Sequence, residues 1–183
     1  MSEKIETADG TTEDVQAIAE SIERGDDPYT VPAEMLVEPE DKKPVNKSLY
    51  AQILHMKVGE RIKLALKGNR DARMILIRDG NRIVQHFVLQ NPRITEDEVL
   101  MVARNRNSDG EILRRVGEHE QWPRNYQIRL ALVTNPKTPV VTSLHFVSTL
   151  TERDLRFLAK SKNVSATVVT QARRLLFRKE RRE

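Results

Sequence analysis

The chain's 183 residues have room for one ordinary domain, or a domain and a tail. Its formal charge of +4 resolves into two different objects: residues 1–46 carry 13 acidic and 4 basic side chains (net −9), and residues 47–183 carry 14 and 27 (net +13). The lack of cysteine excludes a disulfide framework, a thiolate metal site and a cysteine nucleophile. With no basic-then-apolar start and no apolar run of the roughly 18–20 residues that span a bilayer, it reads as a soluble cytoplasmic protein.

In chain order, residues 1–46 come first: acidic, punctuated by Pro28, Pro32, Pro39 and Pro44, and poor in large apolar side chains. Such a segment, taken alone, buries too little surface to offset the entropy of ordering it, so a mostly disordered leader is expected. Within it, Thr11-Thr12-Glu13-Asp14 precedes Val15, Ile18, Ala19 and Ile22 at helical spacing, which predicts a short helix over 12–24 ending near Gly25. The apolar patch around Tyr29, Val31, Met35 and Leu36 lies between acidic runs. It reads either as part of a solvated leader or as a docking peptide for a groove on its own body or on a partner.

From Lys47 the pattern becomes helical throughout, with apolar residues every three or four positions. Starts are marked by Thr95-Glu96-Asp97-Glu98, Ser108-Asp109-Gly110-Glu111 and Thr151-Glu152-Arg153-Asp154, each a hydroxyl placed to cap the first turn, and by Thr138-Pro139. Gly80, Asn91-Pro92 and Asn135-Pro136 mark stops, with asparagine able to adopt the left-handed terminal conformation. The predicted helices are 48–56, 58–67, 70–79, 81–90, 95–104, 108–118, 124–134, 138–149, 152–161 and 165–180, with no strand of useful length.

The segment ending at Asn91-Pro92 superimposes on the one ending at Asn135-Pro136 at a spacing of 44, and that on 154–163 at 27, which makes a degenerate repeat of short helices. The stretch Ile128-Arg129-Leu130-Ala131-Leu132-Val133-Thr134-Asn135-Pro136-Lys137-Thr138-Pro139, followed by Leu144, Val147 and Leu150, resembles the unit of bacterial leucine-rich-repeat-variant proteins, which are HEAT- and armadillo-like in architecture. The resemblance covers roughly residues 80–176. It implies an all-α fold, a right-handed α-solenoid of short degenerate repeats used as a binding scaffold, here behind a largely disordered acidic tail. Some members bind an iron–sulfur cluster through N-terminal cysteines; this chain has none, so that feature does not transfer.

No glycine-rich phosphate loop is present, because Leu66-Lys67-Gly68-Asn69 lacks the second glycine and the hydroxyl residue. His55, His86, His119 and His145 stand far apart, so none has a second histidine at zinc spacing. Glu118-His119-Glu120 reads as a solvated link, and His86 and His145 as partly buried packing residues. The expectation is a protein that is not an enzyme and needs no cofactor or metal. Basic residues carry more information: Arg104, Arg106, Arg129, Arg156, Arg173, Arg174 and Arg178 are candidates for contact with a partner or with phosphate. Against this, Arg129 and Arg156 fall at equivalent repeat positions and suit bonds to carbonyls or acids inside the stack, and the terminal cluster suits a solvated helix end.

The domains expected are an acidic leader over 1–46 and a basic helical-repeat domain over 47–183. The function expected is an adaptor that binds another protein, with nucleic-acid backbone as the alternative ligand.

Overall fold

The computed structural model describes residues 4–6, 12–39 and 47–181. The fold is all-helical apart from a short antiparallel ladder in which Lys4–Glu6 (β1) pairs with Thr12–Asp14 (β2). The helices are α1 (Val15–Arg24), α2 (Lys47–His55), α3 (Val58–Lys67), α4 (Arg70–Leu76), α5 (Arg82–Gln90), α6 (Glu96–Arg104), α7 (Gly110–Glu118), α8 (Tyr126–Thr134), α9 (Val140–Val147), α10 (Glu152–Lys160) and α11 (Ala166–Glu180). Single 3-10 turns stand at Ala33–Met35 and Trp122–Arg124. No helix among the described residues is long and apolar enough to cross a membrane.

Local chemistry accounts for most boundaries. Thr95 accepts from the Glu98 amide while the Glu98 carboxylate takes the Thr95 amide at 2.8 Å, a reciprocal cap that satisfies two otherwise orphaned donors. Thr151 caps α10 through the Asp154 amide, and Asp14 caps α1 through Gln16. Gly25 ends α1 at φ +83, where its amide and that of Asp26 return to carbonyls of the last turn. Two start signals work differently from expectation. Asp109, not Ser108, caps α7, because the Ser108 hydroxyl is spent on the Val102 carbonyl at 2.8 Å. Pro139 sits at the cap itself, with the helix beginning one residue later.

The asparagine stops are also different. Asn91 (φ −62, ψ 123) and Asn135 (φ −82, ψ 121) are extended, as a residue before proline prefers, and no non-glycine residue among those described has positive φ. Their side chains do the work. Each Oδ1 accepts the amide two residues on, Arg93 or Lys137, at 2.9 Å, and each carbonyl accepts the amide three on. Asn105 makes the same turn with Asn107 and Ser108. In all three links the next cap follows four residues after the asparagine: Thr95, Asp109 and Pro139.

The chain forms two compact units, residues 1–94 and 95–183, so the expected boundary at 46/47 does not separate them. In the first unit α1 and α5 flank α3, while α4 packs on α2, α3 and α5. Its core contains Ile22 and Met35, both fully buried against residues such as Ile62, Leu64 and Leu76. The expectation of a mostly disordered leader is therefore corrected for residues 15–39: the surface that pays their ordering entropy is the face of α3, which composition alone does not count. The rest of that expectation falls on residues outside those described.

In the second unit α6 and α8 lie side by side, α9 packs on α8 and α11, and α10 pairs with α11. Its core is largely aliphatic, with Val99, Leu113, Ile128, Leu132, Leu155 and Leu158 buried. Two buried asparagines cross-link each unit's layers. Asn91 donates to the carbonyls of Ala65 (2.9 Å) and Gly68 (3.2 Å) at the end of α3, and Asn135 to those of Ala103 (2.8 Å) and Asn105 (2.9 Å) at the end of α6. Carbonyls at the end of one helix thus gain a donor from the link after another.

Candidate functional site

The patch read as a docking peptide lies on the first unit's own surface. Met35 is fully buried, and Tyr29, Val31 and Leu36 pack part-buried on the same core. The Tyr29 ring rests on Gly59 so closely that a Cβ there would fall 2.1 Å from Cε1, which is why α3 has a glycine in its first turn. Polar groups of the body seize the segment's backbone: Lys63 donates to the Tyr29 carbonyl (2.7 Å), Asn69 to those of Glu34 and Val37 (both 2.9 Å), and Arg93 to that of Leu36 (3.0 Å).

Two of the leader's carboxylates are held as well. Lys63 meets Asp27 at 2.8 Å, and Arg73, itself buried, meets Glu38 at 2.7 Å. Burial raises the pKa of both acids, but the hydrogen bond from Lys63 to Asp27, and that from Arg73 to Glu38, together with backbone amides, outweigh it and hold both below their ordinary values. Residues 26–38 form a strap against α3, fixed by Lys63 and Arg73 on its carboxylates and by its apolar anchors on the core.

The arginines singled out from the sequence do not converge on one spot. Arg129 is half-buried and donates to the carbonyls of Pro123 (2.6 Å) and Arg124 (3.0 Å) while lying 5.4 Å over the Tyr126 ring, so it braces the link before α8. Arg156 is exposed and pairs with Glu152 on its own helix. Arg173 is exposed and its Nε donates to the Ala159 carbonyl at 3.0 Å, which ties α11 to the end of α10. Arg174 and Arg178 are exposed on α11, and Arg106 is exposed after α6. Of the seven, Arg104 lines a cavity.

That cavity is a groove of about 360 Å³ across α6, α8 and α10 of the second unit. Apolar Leu130, Ala131 and Phe157 line it together with Gln127, Thr134, Arg104 and Arg153. Phe157 is 67% exposed, because Leu155, Leu158 and Ala159 take the inward stripe of α10 and leave position 157 outside it. Asp154 also borders the groove, but its carboxylate is bonded by the Tyr126 hydroxyl and by Thr151 (2.8 Å). Among the described residues Arg104 bonds to Gln127, at 3.3 Å. The groove therefore combines exposed cations with apolar lining residues. A second hollow, about 480 Å³, lies beside the strap, but its walls at Pro39 and Ser48 flank residues outside those described.

No group of three or more metal-ligating side chains occurs among the described residues. His119 stacks on Trp122 with ring centroids 3.7 Å apart, and its Nδ1 accepts the amides of Gln121 and Trp122, so it organises the turn before α8. His86 is half-buried and bonds Gln90 at 2.9 Å; His145, expected to be partly buried, is exposed with its ring edge on Phe146.

Sequence reasoning missed Phe157, Leu130 and Arg153 as a set, although the off-stripe position of Phe157 marks it. It also missed the reach of Asn69, Asn91 and Asn135, whose partners lie more than twenty residues away. Comparison of the chain with protein-family models, with curated proteins and with solved structures finds no match in any of the three.

Proposed function

We propose that the protein is a non-catalytic scaffold that binds another protein through the α6/α8/α10 groove. In this reading the helices of each unit stack as a short right-handed α-solenoid of degenerate repeats. Supporting the repeat are the three links at Asn91, Asn105 and Asn135, which share one turn and one cap spacing. The observation that carries the function is the groove itself, where the exposed Phe157 and the apolar Leu130 and Ala131 stand beside Arg104 and Arg153.

A photo-crosslinking residue at position 157 of the full chain tests it in native extract. A discrete protein adduct that survives nuclease, and that is lost when Arg153→Glu is added, is the expected result. Adducts confined to nucleic acid, or the same adducts from a crosslinker at exposed Val141, overturn it.

A second reading, binding of a nucleic-acid backbone, is favoured by the exposed Arg174 and Arg178 of α11 and their neighbour Arg173. It predicts steep weakening with salt and loss on Arg174→Glu/Arg178→Glu. No retardation of DNA or RNA at low salt by the full chain removes it.

A further inference from the structure

We infer that the ligand of the α6/α8/α10 groove is an extended acidic peptide with one apolar anchor, the anchor seated against Leu130 and Phe157 and its flanking carboxylates on Arg104 and Arg153. This rests on the protein-binding reading and adds the chemistry of the partner.

Three features select this ligand. The first is size: about 360 Å³ is near the lower end of ligand pockets, roughly 300–1,000 Å³, and suits one or two side chains of a peptide better than the face of a docked helix. The second is charge. Arg104 and Arg153 are both exposed on the rim, and the nearby acid, Asp154, is already committed to Tyr126 and Thr151. Carboxylates brought to this rim meet cations without displacing an existing ion pair among the described residues.

The third is a precedent in the same chain. The strap of the first unit is an acidic peptide with apolar anchors, held where Lys63 and Arg73 take its carboxylates while Tyr29 and Met35 enter apolar seats. The second unit presents the same pairing of apolar seat and flanking cations with its seat open. A phosphate backbone would use the arginines but leave Leu130 and Phe157 uncovered, so the peptide satisfies more of the site.

The test is fluorescence anisotropy with the full chain and five labelled probes. These are a short peptide with a central leucine flanked by two glutamates on each side, its leucine-to-serine, glutamate-to-glutamine and glutamate-to-lysine analogues, and oligothymidylate. The glutamate–leucine peptide is expected to bind saturably, with each analogue weaker by about tenfold or more. Phe157→Ser and Arg153→Glu should each weaken it about tenfold, while Val141→Ser, on α9, leaves it unchanged. Phe157 and Arg153 are exposed, and unchanged circular dichroism establishes that their variants fold.

Equal binding of the glutamine or lysine analogue, still dependent on Phe157, overturns the acidic ligand and leaves the protein-binding reading intact. Absence of binding by every peptide overturns the inference, and the crosslinking experiment then decides the wider reading alone. Oligothymidylate binding that is lost with Arg153→Glu and kept with Phe157→Ser overturns both.

Discussion

Replacing Asn135 by aspartate separates two roles that the sequence alone does not distinguish. If Asn135 served only to make the turn after α8, aspartate would replace it well, since both side chains accept the amide two residues on. The structure adds two donated bonds, to Ala103 (2.8 Å) and Asn105 (2.9 Å), from a side chain in a residue only 5% exposed. Asn135→Ala loses all three contacts and takes the side-chain donor from the Ala103 carbonyl, while that of Asn105 keeps the Ser108 amide; at about 1 kcal/mol net for each bond the loss is about 3 kcal/mol. Asn135→Asp keeps the bond from Lys137 but sets a carboxylate against those same carbonyls, so it should cost at least as much as alanine.

Urea unfolding followed by fluorescence of Trp122, the single tryptophan, reads the second unit directly. With a slope of about 2 kcal/mol per molar urea, the midpoint should fall by about 1.5 M. The aspartate variant carries a second signature. Its carboxyl, disfavoured as an anion in the folded state, has a raised folded pKa, so the folded protein binds more protons and the variant regains stability as pH falls. An aspartate variant within about 0.5 kcal/mol of the parent would refute the cross-link.

Gly59→Ala drives a Cβ to 2.1 Å from the Tyr29 ring, so it should destabilise the first unit by about 1–3 kcal/mol and speed proteolysis within 26–39; adding Tyr29→Ala should recover part of the loss, and a neutral Gly59→Ala would show the ring seated elsewhere. Asp27 and Glu38 have folded pKa values below their ordinary 3.8 and 4.5, so their stabilisation is present above those values and is lost as pH falls through the depressed ones. Unfolding of the parent should therefore become easier on acidification, and Asp27→Asn, costing about 2 kcal/mol at neutral pH, should flatten the dependence. Arg129→Ala should cost about 1–2 kcal/mol through its lost carbonyl bonds and leave peptide affinity at the groove unchanged, as titration with the labelled peptide would show.

The helix boundaries were legible because their causes are local. Thr95 and Glu98 are three residues apart, and the Asx turns at Asn91 and Asn135 close within the link itself. What the sequence hid is reach. Nothing in the spacing of Asn91 points to Ala65, and nothing in the composition of residues 15–39 reveals that Ile22, Tyr29 and Met35 are met by a ready surface on α3. Taken alone, the leader's apolar content is too small; with a partner surface a few well-placed side chains suffice. The groove escaped for a different reason. Leucines at 155 and 158 define the stripe of α10, and the phenylalanine between them reads as more of the same until the helical rotation is followed one residue at a time.

The charge split changes meaning once the boundary moves to 94/95. Residues 1–94 hold 16 acidic and 14 basic side chains, net −2, and residues 95–183 hold 11 and 17, net +6. The leader's acids therefore nearly neutralise the basic residues of their own unit, through pairs such as Asp27 with Lys63 and Glu38 with Arg73. The surplus positive charge belongs to the second unit, which also carries the open groove. Deleting residues 1–46 removes Ile22 and Met35 from a core and so disturbs the first unit itself. Neutralising Asp27 and Glu38 keeps those anchors and removes the carboxylate charges from Lys63 and Arg73. If anionic peptides are recruited by the second unit, that exchange leaves their affinity for the Phe157 groove unchanged; a large rise that survives Phe157→Ser would place the attraction under the strap instead.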